Sequence, residues 1–589
     1  MEYAPHCCLT NLPYSDSYMA FQRGARHNLH SSPQIVAWFS GTPCQLPIRM
    51  FTLKGSIMRR FPFRLFFILL LSVSATVIPQ RQSRAMVSTN VPLDEVSYFY
   101  VEKLIMQGLV KGDVWATRPF SRFEMGRLIC EARRNWKKLP DEEKQKLPLI
   151  RELITWLEKR YAEEVDHVEG SQKAATTYLK PADRVSGTIR YQDDAYSTYN
   201  NEGIEFYDGN NAVVDVTTHA RIGGVLGLFA QPRFVYYGNA EDVRNPKGNE
   251  VDQSNFDLQK WYAKLDIRNI ELQYGADSMW WNPSSHGSLI MSNNAEPFPM
   301  FKLSNPTPTV LPWVFDILGL FKYTFVFAEL DRDRLNPRFP DERLITDRDE
   351  PYLAGIHLDF KPRPWMEFGF NLISIYGGEG RNLSPTDHMR IITFNDNLTG
   401  NLSSNSQFSM FWQFRFHNPL PISETLSFYG EWGGEDAALP PDRRAYQLGL
   451  LLGDFLKRQG RLQLRFEYTN TSPQSVPLAW YTHPEFPATY EGRVFGHHLG
   501  TDGQDFFASL SILLSPRLRF FLEGDYENRR TSLDNGEEVL QGNIRALYDL
   551  SDNMSILGSV GMESVDNLDF IEGASGNRSF LSLRLLYYF

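Results

Sequence analysis

Two stretches of the sequence contain side chains that could catalyse a reaction or bind a metal. In the first, Ser284, His286 and Ser288 alternate within a segment rich in Asn, Ser and Pro. A serine hydrolase needs a serine beside a histidine, and an acidic residue that orients this histidine. No Gly-x-Ser-x-Gly turn surrounds these serines, and no acidic partner is apparent. We therefore expect that the protein is not an enzyme.

The second stretch contains His497 and His498, followed by Asp502 and Asp505. Imidazole and carboxylate groups are common zinc ligands. Adjacent residues of a strand point to opposite faces, so both histidines could reach one ion only from a loop. The sequence also lacks a Cys-x-x-Cys pair, a phosphate-binding loop and a dinucleotide fingerprint. We expect neither a metal site nor a cofactor.

The C-terminus gives the first indication of the elements that position these residues. Residues 579–589 form one apolar, aromatic-rich strand that ends at Phe589. In a soluble protein such an exposed edge would aggregate. In a bacterial outer-membrane barrel the last strand pairs with the first, and no edge remains. The C-terminus therefore predicts a barrel in the cell outer membrane, in contact with its lipid.

Composition and the N-terminal segment exclude other classes and predict export. The mean hydropathy of −0.36 excludes a helical membrane protein, and the net charge of −10 argues against a nucleic-acid partner. Arginines precede a short apolar run, Leu65–Leu71, which predicts a signal peptide over residues 58–75. Residues 1–57 show no periodicity, so we expect translation to start at Met58. Cys130 would then be the one remaining cysteine, and no intramolecular disulfide could form.

Residues 91–165 have helical spacing and predict a small α-helical domain in the periplasm. Ser121 and Glu124 form a capping box at the start of one helix. Asp141 and Pro148 begin two more.

From Arg184 to Phe589 the apolar residues recur with a period of two, as in residues 461–468. Over the C-terminal half, short and long polar connections alternate, which is typical of an up-and-down transmembrane barrel. Counting the segments predicts about 18 antiparallel strands over residues 184–589, with both ends in the periplasm. Such a wide barrel has a water-filled lumen unless loops or side chains plug it.

Residues 276–313 do not fit the strand pattern, and we expect them to lie in the lumen or outside the membrane. The sequence contains a set of motifs in this segment and on either side of it: Tyr274-Gly275, Trp281-Asn282-Pro283, Gly287-Ser288-Leu289-Ile290, Ser292 to Pro297, Gly108 to Gly112, Arg118 to Arg122, Gly430 to Asp436 and Gly496 to Gly500. In these motifs the sequence resembles the Wzi capsule-assembly family of outer-membrane proteins. Family sequences often have glycine where this chain has Asn282.

The resemblance covers about Pro92 to Phe589 and implies both a fold and a function. It implies a wide barrel with a helical bundle that binds capsular or exopolysaccharide and supports its attachment or assembly at the cell surface. We expect the protein to act as a monomer. The alternative is a sugar-selective outer-membrane porin.

The chemistry of the connecting segments suits a sugar ligand, because sugar rings present C–H faces to aromatic rings and hydroxyls to polar side chains. The alternative for any one aromatic residue is a place in the interfacial girdle or inside the lumen. The predicted glycan-binding residues are Trp280, Trp281, Asn293, Asn294, Trp480, Tyr481, Arg493 and Asp505.

Overall fold

The computed structural model describes most of the chain from Val87 onward. The described residues are 87–170, 176–194, 196–239, 251–331, 333–335, 344–346, 350–378, 381–392, 403–435, 443–472 and 480–589. The predicted signal peptide at 58–75 and the predicted extension at 1–57 lie outside the described residues.

Five helices precede the barrel: α1 (Ser97–Met106), α2 (Arg122–Lys138), α3 (Asp141–Lys146), α4 (Pro148–Arg160) and α5 (Ala162–Val168). The Ser121 hydroxyl accepts a hydrogen bond from the Glu124 backbone N–H at 3.1 Å, so the predicted N-cap of α2 is present. Four of these five helices, all except α3, share one apolar core, to which the barrel residue Leu513 also contributes. We call residues 87–170 the helical domain.

Eighteen antiparallel strands close into a barrel, as the sequence predicted. The strands are β2 (Tyr178–Asp193), β3 (Gly209–Ile222), β4 (Leu226–Tyr237), β5 (Ser254–Ile267), β6 (Ile270–Ala276), β8 (Pro299–Ser304) with β9 (Thr309–Val310) at one position, β10 (Leu320–Glu329), β13 (Tyr352–Arg363), β14 (Met366–Tyr376), β15 (Ser404–Leu420), β16 (Ser423–Glu435), β17 (Arg443–Phe455), β18 (Leu462–Asn470), β21 (Gly503–Ser515), β22 (Leu518–Arg529), β23 (Glu537–Ser551), β24 (Met554–Asp566) and β25 (Ser575–Tyr588).

The last strand closes the barrel against the first. Strand β25 pairs with β2 from Arg184↔Tyr588 to Asp193↔Ser579, so the C-terminal strand has no free edge.

Shorter elements lie outside the barrel wall: β1 (Thr117–Arg118), β7 (Trp280–Trp281), β11 (Asp333–Leu335), β12 (Leu344–Thr346), β19 (Thr489–Tyr490), β20 (Arg493–Val494), the helix α6 (Pro385–Ile392) and two 3₁₀ turns, Trp313–Leu318 and Leu568–Phe570.

One sequence prediction about the strands was wrong. Residues 276–313 were expected to contain no wall strand, yet β8 pairs with both β6 and β10 and supplies the sixth strand of the N-terminal part. The segment 184–274 accordingly supplies five strands instead of six. The strand was hidden because β8 is only six residues long and starts at Pro299, and proline is accepted at the first position of a strand.

The outer wall of the barrel is apolar. On β25, alternate side chains are exposed while their neighbours point inward, and the same alternation recurs around the barrel. The exposed residues of this strand include Leu581, Leu583, Leu585 and Tyr587. A closed cylinder with an apolar outer wall and a charged inner wall spans an outer membrane. In the described ranges, no helix is both long and apolar enough to cross a bilayer.

The helical domain fills the end of the lumen where the short turns lie. Lys103 donates to the Gly460 carbonyl in the β17–β18 turn at 2.8 Å. Asp113, fully buried, accepts from Lys361 at 2.6 Å and from Arg415 at 2.7 Å, both on the inner wall. Short turns are periplasmic in barrels of this type, so the helical domain is at the periplasmic end.

Replacing Asp113 with alanine tests this attachment. The change leaves Lys361 and Arg415 buried without their shared carboxylate, which costs about 3–5 kcal/mol when one partner of a buried ion pair is removed. We expect a lower midpoint temperature for conversion of the folded band to the unfolded band on SDS gels. Asp141→Ala removes an exposed carboxylate of α3 and should leave that midpoint unchanged. Equal midpoints for the two variants would contradict the attachment.

Candidate functional site at the loop end of the barrel

Three loop segments pack together at the opposite end of the barrel, where the long connections lie. They are residues 196–208, 277–298 and 480–502, and we call them together the loop cap. The second and third segments share a hydrophobic core that lies inside the ring of strands. Backbone hydrogen bonds join all three, including Glu202 N–H to Asn293 O at 2.8 Å and Ser292 N–H to Phe495 O at 2.8 Å.

Trp280 and Trp281 lie where the loop cap meets the helical domain. They form the short strand β7, which pairs with Thr117–Arg118 of β1. The Arg118 guanidinium lies 5.1 Å from the centre of the Trp280 ring. The Trp281 ring stacks on His357 at 5.3 Å and is buried. Both rings therefore join buried parts of the protein and present no open face to solvent.

Glu431, on the inner wall, organises the 282–290 turn. Its carboxylate accepts hydrogen bonds from Asn282 Nδ2, from the Leu289 backbone N–H at 2.9 Å and from Ser409 Oγ at 2.5 Å. Asn371 Nδ2 donates to the same carboxylate and to the Trp281 carbonyl. Asn282 is thus a structural anchor at the position where family sequences often have glycine.

Trp480 and Tyr481 are both fully buried in the core of the loop cap. The Tyr481 hydroxyl donates to the Leu289 carbonyl at 2.6 Å and accepts from the His497 backbone N–H at 2.9 Å. Burial raises the pKa of the Tyr481 phenol, so the hydroxyl keeps the proton that it donates. At Gly496 an added Cβ would lie 2.2 Å from this hydroxyl, so the close packing requires glycine there.

Arg493 ties the third segment to the first. Its guanidinium donates to Glu205 Oε1 at 2.7 and 2.9 Å, to the Thr198 carbonyl at 3.0 Å and to Asn201 Oδ1 at 3.2 Å. These hydrogen bonds cross-link the two loop segments. The Arg493 side chain is also partly exposed, so it borders solvent.

The two predicted asparagines differ in exposure. Asn294 is buried, and its side-chain amide donates to the Val494 carbonyl at 3.2 Å. Asn293 is partly exposed, and its carbonyl accepts from the Glu202 backbone N–H.

Asp505, at the start of β21, faces His286 and His498 within the lumen. Burial alone would lower the pKa of the His286 ring, but the facing carboxylates of Asp525 and Asp505 raise it above its usual range. His497 stacks on His498, and its Nε2 is hydrogen-bonded to Thr469 Oγ1 at 3.1 Å and lies 3.8 Å from Asp505 Oδ2, farther than the other two rings. Burial and the neighbouring His498 keep the pKa of His497 well below its usual range.

The serines near His286 have other partners. Ser284 Oγ donates to the Gly287 carbonyl, and Ser288 Oγ contacts the Trp281 carbonyl at 3.5 Å and Glu431 at 3.4 Å. The His286 ring is directed at carboxylates instead. The Ser284–His286–Ser288 pattern thus does not form a hydrolase arrangement in the described part of the chain.

The structure therefore gathers the predicted residues around one loop cap, but most of them are buried supports. The partly exposed polar and aromatic groups of this region form a patch that we call the rim patch: Glu205, Tyr207, Asn293, Tyr490 and Arg493. Tyr490 pairs with Arg493 across the β19–β20 hairpin, and Glu205 binds Arg493, so these three residues of the patch are in contact.

Sequence reasoning missed Glu431, Tyr207 and the approach of His286 to Asp525. Glu431 stands within the Gly430 to Asp436 motif, so its position in that motif was the available signal. Tyr207 and the His286–Asp525 contact had no local signal, because their partners are distant in the chain.

Glu431→Ala tests the support of the loop cap. At least three hydrogen-bond donors would lose their acceptor. Each buried donor left without a partner lowers the stability of the folded protein by about 1–3 kcal/mol. We expect amide hydrogens of residues 282–290, Leu289 above all, to exchange faster in hydrogen–deuterium exchange mass spectrometry, while the wall strands keep their protection. Glu424→Ala, on the same strand with a partly exposed side chain, is the matched control. Unchanged exchange over 282–290 would show that Glu431 does not hold this turn.

We compared the sequence and the structure with those of known proteins. A curated protein of Klebsiella pneumoniae, described as an uncharacterized 55.8 kDa protein in the cps region, is 26% identical over 199 residues. That match spans 33% of this chain and 36% of the relative, just over a third of the relative's length.

A solved structure is similar over a larger part of the chain. It is described as Wzi, an outer-membrane protein involved in group 1 capsule assembly in Escherichia coli and a carbohydrate-binding β-barrel. The likeness has a TM-score of 0.62 at 17% identity and covers 85% of this chain and 100% of that one, which shows that the fold is shared. The sequence model for "Capsule assembly protein Wzi" matches residues 189–578, well over half of the chain. The chain therefore belongs to the Wzi family of capsule assembly proteins.

Proposed function

We propose that this protein binds polysaccharide at the cell surface and supports the attachment or assembly of a capsule or exopolysaccharide layer. Two facts support the proposal: membership of the Wzi family, and the fold shared with an E. coli protein described as a carbohydrate-binding barrel. The outer-membrane barrel places the loop cap outside the cell and the helical domain in the periplasm.

One structural observation carries the proposal. Packed protein occupies the lumen at both ends, with the helical domain at the short turns and the loop cap at the long loops. A porin needs a continuous water path through its lumen. A barrel filled in this way presents a fixed outer face, and a fixed face suits binding because little conformational freedom is lost when a ligand binds.

We place the polysaccharide contact at the rim patch. The Tyr207 and Tyr490 rings offer faces for sugar C–H groups, and Glu205, Asn293 and Arg493 offer hydrogen-bonding groups for hydroxyls. The remaining predicted residues (Trp280, Trp281, Asn294, Trp480, Tyr481 and Asp505) contribute by holding the loop cap in shape. The proposed role is binding; the serines near His286 are hydrogen-bonded to other groups.

Finer parts of the proposal concern assembly and export. We propose that the protein acts as a monomer, with lipid against its apolar outer wall. Residues 58–75 act as the export signal in this proposal.

A double variant of the rim patch tests the proposed function. Removing both rings with Tyr207→Ala and Tyr490→Ala should lower affinity for polysaccharide extracted from the surface of the source bacterium. Each aromatic contact contributes about 0.5–1.5 kcal/mol, so we expect roughly a 5- to 160-fold loss for the pair. Binding of the fluorescently labelled polymer to purified protein measures this loss.

Trp365→Ala removes an exposed aromatic side chain at the short-turn end and is the matched control. The control should bind as the parent protein does. Loss of affinity in both variants, or in neither, would contradict the rim patch as the site.

A further inference from the structure

Four side chains from four separate segments converge beneath the loop cap. They are His286 and His498 of the cap, Asp505 of β21 and Asp525 of β22, and we call them the His–carboxylate cluster. One ligand atom from each lies within 4.8 Å of all the others. His286 Nε2 lies 3.3 Å from Asp505 Oδ2 and 3.2 Å from Asp525 Oδ2, and His498 Nε2 lies 3.2 Å from Asp505 Oδ2.

The atoms at the centre of the cluster have no hydrogen bonds within the described residues. This holds for both imidazole Nε2 atoms, for Asp505 Oδ2 and for both oxygens of Asp525. The side chains of His498 and Asp505 are 1% exposed and that of Asp525 is 5% exposed. These atoms contact one another at 3.2 to 3.3 Å, but none of the contacts has hydrogen-bond geometry. Buried polar atoms normally have hydrogen-bond partners, so a group of such atoms aimed at one point indicates a ligand.

The distances fit a small divalent cation. Zinc binds imidazole nitrogen and carboxylate oxygen at about 2.0–2.1 Å, and a tetrahedron of that size has edges of roughly 3.3 Å. Three of the six separations, 3.2 to 3.3 Å, match those edges, and all six lie within 4.8 Å. Two nitrogens and two oxygens form a donor set for zinc and related transition metals, whereas Mg²⁺ and Ca²⁺ prefer oxygen alone.

The surroundings fix both imidazole rings. His286 stacks on Phe507 at 3.8 Å between ring centres, and its backbone N–H donates to Glu467 Oε2 at 2.9 Å. His498 stacks on Tyr199 at 4.0 Å. The rings are therefore held in place by contacts that do not involve the Nε2 atoms.

Charge also favours a cation. Asp505 and Asp525 bring two carboxylates to a buried site, and Glu527 lies 3.0 Å from His498. Arg529 is engaged by Glu527 at 2.5 Å and by Glu537 at 2.8 Å. A divalent ion among the four ligands would balance the two aspartates at the point where they converge.

We propose that the His–carboxylate cluster binds one divalent transition-metal ion, with zinc as the best fit. The ion would join residues 277–298 and 480–502 to strands β21 and β22, and so stabilise the loop cap from below. This inference is independent of polysaccharide binding.

The inference differs from the expectation drawn from the sequence, which considered His497 and His498 as a pair. The structure gives the two rings different partners. His497 is hydrogen-bonded to Thr469, and the second imidazole of the cluster comes from His286 in another loop.

The test uses the full chain purified in detergent, stripped with EDTA and dialysed. Calorimetric titration with ZnCl₂ should give about one ion per chain, and MgCl₂ under the same conditions should give no comparable binding. Zinc should also raise the midpoint temperature of the folded band on SDS gels, since a ligand bound only by the folded state stabilises it.

Two ligand variants, His498→Ala and Asp525→Asn, should each lower zinc affinity by at least roughly tenfold. His417→Ala removes a histidine at the short-turn end and should bind zinc as the parent does. If one ligand variant does not fold, the titration of the parent protein and of the other variant still tests whether the cluster binds zinc.

Absence of stoichiometric zinc binding by the parent protein would overturn the proposal. The cluster would then be a protonated His286 that bridges two carboxylates. Zinc binding that both ligand variants retain in full would overturn it as well, because the ion would then lie elsewhere.

Discussion

The structure depends on one electrostatic constraint: the inner wall of an 18-strand barrel is charged, and protein fills the space that this wall encloses. A charge taken out of water is costly unless a partner and hydrogen bonds compensate it. The helical domain supplies such partners, as Asp113 does for Lys361 and Arg415, and Glu102 for Arg465. These ion pairs join the helical domain to the inner wall.

The same principle applies at the other end, with hydrogen bonds in place of ion pairs. Glu431 accepts hydrogen bonds from a side chain and a backbone amide of the 282–290 turn. One carboxylate of the inner wall therefore holds this turn in place. Arg493 does the same between two loops. The result is a loop cap with its own apolar core, whose outer face is held by interactions beneath it. Such preorganisation is what a binding surface needs.

The features that could be predicted from sequence are those with a local physical cause. Period-two alternation follows from the geometry of one strand, and the alternation of short and long connections follows from an up-and-down path. The N-cap at Ser121 likewise spans a few residues, although the Glu124 carboxylate of the predicted capping box binds Arg127 instead. These local rules were enough for the barrel, the approximate number of its strands and the presence of helices before it. Strand β8 escaped them because six residues that start at a proline give too short a pattern.

The site was less predictable because burial is a property of the whole fold. Trp281 and Trp480 are residues of the type that stacks on sugar rings. In the folded barrel, however, both lie in a buried hydrophobic core. Which face of Tyr207 or Tyr490 borders solvent depends on how three distant loops pack. His286 reaches Asp505 and Asp525 because its loop crosses the lumen. The spacing of residues along the sequence does not predict this contact.

The central proposal is that the filled lumen suits this barrel to binding and not to conduction. Recordings of the purified protein in planar lipid bilayers test the claim most directly. A filled barrel should show no steady conductance across the applied voltage range, with or without added sugars. Stable ohmic channels that sugars block would contradict the account and favour a sugar-selective porin.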